Sequence, residues 1–150
     1  MFNTIVIATD GSHDGERALA LARSVAIDTS ARLVIVHVTE IVGGKGSLYA
    51  MPLDDDLIKV SIHAQVELLR ADGIDAQVIT QSVRLGGPAG VIADIADSVD
   101  ADLIVVGSRG RSPLTGVVLG SVSARLQHIA HRPVLVVPPP AKGPARLSAA

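Results

Sequence analysis

The sequence predicts an α/β domain, an open parallel sheet with helices on both faces, and three observations carry that expectation. Short aliphatic runs alternate with longer amphipathic runs along the whole length. The short runs are unbroken rather than alternating, as in strands buried on both faces. No composition break or internal repeat divides the 150 residues, a length that suits one domain. Strand–helix alternation of this kind implies right-handed βαβ units.

Thr4–Ala8 (TIVIA) is the first strand, closed by the turn signal Asp10-Gly11. His13–Ile27 reads as a helix with Ser12 as N-cap, its apolar stripe formed by Ala18, Leu19, Ala22, Val25 and Ala26. Arg32–Thr39 is the second strand. The second helix spans Leu57–Leu69, with Leu57, Val60, Ala64 and Leu68 on one stripe and Asp54, Asp55 and Asp56 at its N-terminus. Ala76–Ser82 is the third strand, and Pro88–Val99 a helix with proline in its first turn. Asp102–Val106, the short helix Ser121–Ala130 and the strand Pro133–Val137 complete the pattern. Glu40–Leu53, with Gly43, Gly44, Gly46 and Pro52, reads as a surface loop, and Ala141–Ala150 as a frayed small-residue tail.

Composition narrows the function. Phe2 and Tyr49 are the only aromatics, so a base would rest on aliphatic walls and backbone hydrogen bonds. A net charge of −2 and scattered arginines argue against nucleic acid as a partner. Without cysteine there is no disulfide or thiolate metal site. The opening MFNTIVIATDGS is not patterned as a signal peptide, and no apolar run reaches the roughly 18 residues of a membrane span, so a cytoplasmic protein without a membrane partner is expected.

In open α/β sheets, ligands bind beyond the carboxyl ends of the strands where the winding reverses. Two strand ends carry unusual chemistry: Ala8-Thr9-Asp10-Gly11-Ser12, and the segment from Gly107 to Ser123, GSRGRSPLTGVVLGSVS. In the second, Gly107 and Gly110 permit close backbone approach to an anion or a positive φ. Gly120 precedes Ser121-Val122-Ser123, which open a helix whose free N–H groups favour phosphate. Arg109 and Arg111 add charge, or are solvated loop residues. Gly120-Ser121 lacks the preceding lysine of a Walker-A loop, and no GxGxxG follows the first strand.

The glycines of this segment follow the spacing G-x2-G-x9-G-[S/T] at Gly107, Gly110, Gly120 and Ser121. With IVIATDGS, His37-Val38, ADLIVVGSRG and PVLVVP, they make the chain resemble the universal stress protein family from Phe2 to Pro138. The resemblance implies one nucleotide-binding domain over 1–138, with a flexible tail over 139–150. Its fold would be a five-stranded parallel sheet in the order 3-2-1-4-5, Rossmann-like and akin to the adenine nucleotide alpha hydrolases. It implies the ATP-binding branch, a stress-response regulator that is usually a homodimer through the last strand, Val134–Val137. Carried over residue by residue, Ala8, Thr9 and Asp10 would face adenine and ribose, and the Val38 backbone would bond the base. Gly107, Ser108, Arg109 and Gly110 would wrap the ribose and phosphates. Gly120, Ser121, Val122 and Ser123 would hold the phosphate tail. Ala8 stands where some relatives have proline, which bears on base packing.

Other residues admit plainer readings. Asp10 also suits an Asx-turn beside Ser12. Asp54, Asp55 and Asp56 suit a helix N-terminus better than a metal site, and His128 and His131 a helix C-terminus. His37 reads as a packed, satisfied histidine rather than a catalyst. Lys45, between loop glycines, is within conceivable reach of a phosphate. Between Gly107 and Ser123 there is no carboxylate, histidine or lysine to act as general base. Binding of ATP, with magnesium held mainly through the phosphates and Ser121 or Ser123, is therefore expected with slow or no hydrolysis. A cyclic AMP binder and a weak ATPase or phosphotransferase are the alternatives.

Overall fold

The computed structural model describes residues 1–41, 54–110 and 119–140. Five strands, β1 (Thr4–Ala8), β2 (Arg32–Glu40), β3 (Ala76–Val83), β4 (Leu103–Gly107) and β5 (Val134–Val137), alternate with four helices. These are α1 (His13–Thr29), α2 (Asp55–Ala71), α3 (Pro88–Ser98) and α4 (Ser121–Ile129). The sheet order is β3-β2-β1-β4-β5 and every pairing is parallel, as the resemblance implied.

Period-two alternation divides the strand side chains between two cores. Ile5, Ile7, Leu33, Ile35 and Val105 pack against α1 and α2, together with Ala18, Ala22, Ile62 and Val66. Val6, Val34, Val36, Ile104 and Val106 pack against α3 and α4, with Ile92, Ala96 and Leu126. Ser12 caps α1 by accepting the Gly15 N–H at 3.1 Å. At the amino end of the sheet, the Asp102 carboxylate accepts the N–H groups of Thr4 and Asn3, which hold its pKa below the usual range.

The second helix corrects one expectation. Leu57, Val60 and Leu68, read as the packing stripe, are 72%, 67% and 68% exposed. The buried row is Asp55, Ile62, Val66 and Leu69, with Ile58 packed beside it. Apolar residues surround much of this helix, so their period leaves its rotation open. Asp55 decides it, because its carboxylate bonds inward to β2.

Residues 42–53, 111–118 and 141–150 lie outside the described residues, and with them Lys45, Tyr49, Arg111 and most of the expected loop and tail. Among the described residues no helix is long and apolar enough to cross a membrane, and no group of three or more acidic or histidine side chains is placed to hold a metal.

Candidate functional site: a cleft at the carboxyl ends of the strands

The winding reverses between β1 and β4, and a cavity of about 390 Å³ opens beyond their carboxyl ends. Ala8, Thr9 and Asp10 enter it from β1 and Val38 from β2. Gly107, Arg109 and Gly110 come from the end of β4, and Gly120 with the first turn of α4 closes the far wall. Of the twelve residues that the resemblance assigned to the nucleotide, all but Ser108 line this cavity.

Close packing, rather than positive φ, accounts for the three glycines. A Cβ at Gly107 would stand 2.7 Å from the Asp14 backbone, and one at Gly110 2.7 Å from Asp10 Oδ2. At Gly120 it would meet the Ser108 carbonyl oxygen at 3.2 Å. The positive-φ glycines lie elsewhere, at Gly11, Gly73, Gly86 and Gly87.

The first turn of α4 carries the anion-binding potential. Gly120 is its N-cap and supplies no side chain, and the first intrahelical bond runs from Ala124 N–H to the Gly120 carbonyl. The N–H groups of Ser121, Val122 and Ser123 precede that bond, at the positive end of the helix dipole. Gly120 N–H itself donates to the Ser108 carbonyl, which ties the helix start back to β4. The Ser123 hydroxyl donates to the Gly107 carbonyl at 2.6 Å and so braces the loop, whereas Ser121 is exposed on the cleft.

Ser108 is buried at 3% exposure, and its hydroxyl turns into the protein to meet Asp14. The same Asp14 Oδ2 accepts the Arg109 backbone N–H at 3.1 Å, while Oδ1 pairs with Arg17. Asp10, at the opposite side of the loop, accepts the Ser12 N–H at 3.0 Å and thus forms the expected Asx-turn while lining the cleft.

A buried cluster, His37, Thr39 and Asp55, lines the other end of the cleft. His37 Nδ1 is 2.9 Å from the Thr9 carbonyl oxygen, and Nε2 is 2.8 Å from Asp55 Oδ1. Thr39 donates to that same oxygen at 2.7 Å, and Lys59 Nζ stands 2.6 Å from Oδ2. Burial alone would raise the Asp55 pKa, but hydrogen bonds from Lys59, His37 and Thr39, with the Lys59 charge, lower it to about 2. His37 is packed and satisfied, as expected. The role of Asp55 was not foreseen, and neither was that of Asp14. A carboxylate in the first turn of a helix reads from sequence as a dipole complement, whatever it reaches across space.

Residues 1–138 match the universal stress protein family. The chain belongs to that family. Among universal stress proteins, one from Thermus aquaticus is 34% identical over 140 residues, covering 91% of this chain and 99% of its own length. The structure of the universal stress protein from Archaeoglobus fulgidus in complex with dAMP is similar at a TM-score of 0.63 and 27% identity, covering 91% of this chain and 97% of that one. A universal stress protein in complex with cAMP is similar at a TM-score of 0.60 and 29% identity, with the same two coverages.

Proposed function

We propose that the chain is an ATP-binding universal stress protein, a regulator whose output is conformational or partner-mediated and which hydrolyses ATP slowly or not at all. The observation that carries this reading is the first turn of α4, with three consecutive N–H groups and, among the described residues, no side-chain cap at the rim of the cleft. Arg109 lines the same rim, and a triphosphate has more use for these donors than a single phosphate has. The dAMP and cAMP complexes of related structures support an adenine nucleotide as the ligand class. The nucleoside end falls to Ala8, Thr9, Asp10 and Val38. Its base lies on aliphatic walls such as Val38 and Ile92.

The donor set suits magnesium only as a companion of the phosphates. Ser123 is engaged with the Gly107 carbonyl, which leaves the Ser121 hydroxyl as the oxygen the helix start offers. No carboxylate, histidine or lysine stands between Gly107 and Gly110 or between Leu119 and Ser123, which favours binding over turnover. The cyclic nucleotide is the second reading, favoured by the cAMP complex of a related structure.

The test is to denature freshly purified protein and identify any released nucleotide by mass spectrometry, followed by calorimetry with ATP, AMP and cyclic AMP. Tightest binding of ATP is the expected result. Tighter binding of the cyclic nucleotide would transfer the site to the second reading, and no binding of any of the three would remove both.

A further inference from the structure

We propose that His37 and Asp55 are positioning residues for the nucleoside end of the cleft, holding the Thr9 carbonyl and through it the Asp10 carboxylate. This rests on the nucleotide-binding reading above. The Thr9 peptide is held from two sides. Its N–H donates to the Val36 carbonyl at 3.0 Å, and its carbonyl accepts from His37 Nδ1 at 2.9 Å. A carbonyl oxygen only accepts, so Nδ1 donates this bond, and the Asp55 carboxylate also only accepts, so Nε2 donates the other. On the far side of the ring, Nε2 faces Asp55 Oδ1, which also takes the Thr39 hydroxyl, while Lys59 sits on Oδ2. Three hydrogen bonds and the Lys59 ion pair fix the imidazole plane, and that plane sets where the Thr9 carbonyl rests.

Immediately beyond Thr9, the Asp10 side chain closes a turn on Ser12 and its Oδ2 occupies the space that the missing Gly110 side chain leaves. Asp10 is thus where the β1 end meets the glycine loop, and a shift of the Thr9 peptide reaches it directly. His37 and Asp55 are 4% and 2% exposed. Ionic groups buried this deeply seldom contribute more stability than apolar ones of the same shape, so placement of a neighbouring group is the use that suits them.

Two substitutions separate the ring's two bonds. In His37→Asn the amide nitrogen falls near the position of Nδ1 and keeps the Thr9 bond; in His37→Gln it falls near Nε2 and keeps the Asp55 bond. Each loses one bond, and the bond to the buried Asp55 carboxylate is the stronger of the two, so a purely structural role predicts the larger effect in His37→Asn. Positioning predicts that His37→Gln weakens adenosine and ATP alike, by about fivefold to tenfold, the equivalent of one hydrogen bond. Inorganic triphosphate, a probe of the α4 end alone, should bind both variants as it binds the parent, and His37→Asn should stay within about twofold for all three ligands. Amide hydrogen exchange of the ligand-free protein gives a reading independent of any nucleotide: Thr9 and Ser12 should exchange faster in His37→Gln only. Equal exchange in the two variants, or equal loss of triphosphate and adenosine, overturns the proposal. If the parent protein binds no nucleotide, the functional reading fails while the exchange rates still decide the positioning role.

Discussion

The Ser108 hydroxyl donates to Asp14 Oδ2 at 3.1 Å, joining the end of β4 to the first turn of α1 across 94 residues of sequence. With the Arg109 N–H on the same oxygen, Asp14 holds the start of the glycine loop from beneath. Ser108 therefore supports the cleft without lining it, and the two residues differ in what their loss should do.

Replacing Ser108 with alanine removes one bond while Arg109 N–H remains on Asp14. The expected outcome is a loss of about 1 kcal/mol in denaturant unfolding, with ATP affinity by calorimetry within about threefold of the parent. Replacing Asp14 with alanine frees Ser108, Arg109 N–H and Arg17 together, and ATP affinity should fall by about tenfold or more.

The glycines should separate fold from binding. Gly107→Ala drives a Cβ against the Asp14 backbone at 2.7 Å, and overpacking of that kind costs about 1–3 kcal/mol in unfolding experiments. At Gly120 the neighbours are the Ser108 carbonyl and Arg109 Cα, at 3.2 and 3.3 Å. Gly120→Val should push the helix start off the loop and abolish ATP binding by calorimetry, with the far-ultraviolet dichroism of the fold retained.

The Asp55 carboxyl titrates at about 2 in the fold, against 3.8 for the unperturbed group. A lowered folded pKa means stability that is complete above the unfolded value and is lost as pH falls towards the folded one. The difference corresponds to about 2 kcal/mol, lost between about pH 4 and pH 2. In Asp55→Asn the unfolding free energy should decline less steeply across that window, measured by urea titration at successive pH values.

The dimer is read from the resemblance, and β5 is the edge that would carry it. Val134–Val137 pairs with β4 on one side, and Leu135 is 37% exposed. An apolar edge strand invites pairing with a second copy. Leu135→Lys should shift the protein from dimer to monomer by light scattering at micromolar concentration, and a parent protein already monomeric there would remove the proposal.

The strands were legible in sequence because burial on both faces leaves Ile5–Ala8 and Leu103–Val106 no polar interruption. The glycine spacing was legible because local chain geometry is written locally. What escaped were the partners of Asp14 and Asp55, since a bond to Ser108 or His37 depends on which strands the topology sets side by side. The rotation of α2 escaped for the same reason. Leu57, Val60 and Leu68 are as apolar as Ile58, Ile62 and Val66, and only the inward bond of Asp55 chooses between them.

Asp14 and Asp55 come from α1 and α2, which cover the same face of the sheet, while α4 packs on the other. Each carboxylate grips one of the two strand-end loops that border the cleft. A ligand that draws those loops together pulls on both helices at once, and the reaction to that pull is borne by one layer. On the nucleotide-binding reading proposed above, α4 would take the phosphate load while the α1–α2 layer anchors the loops that share it.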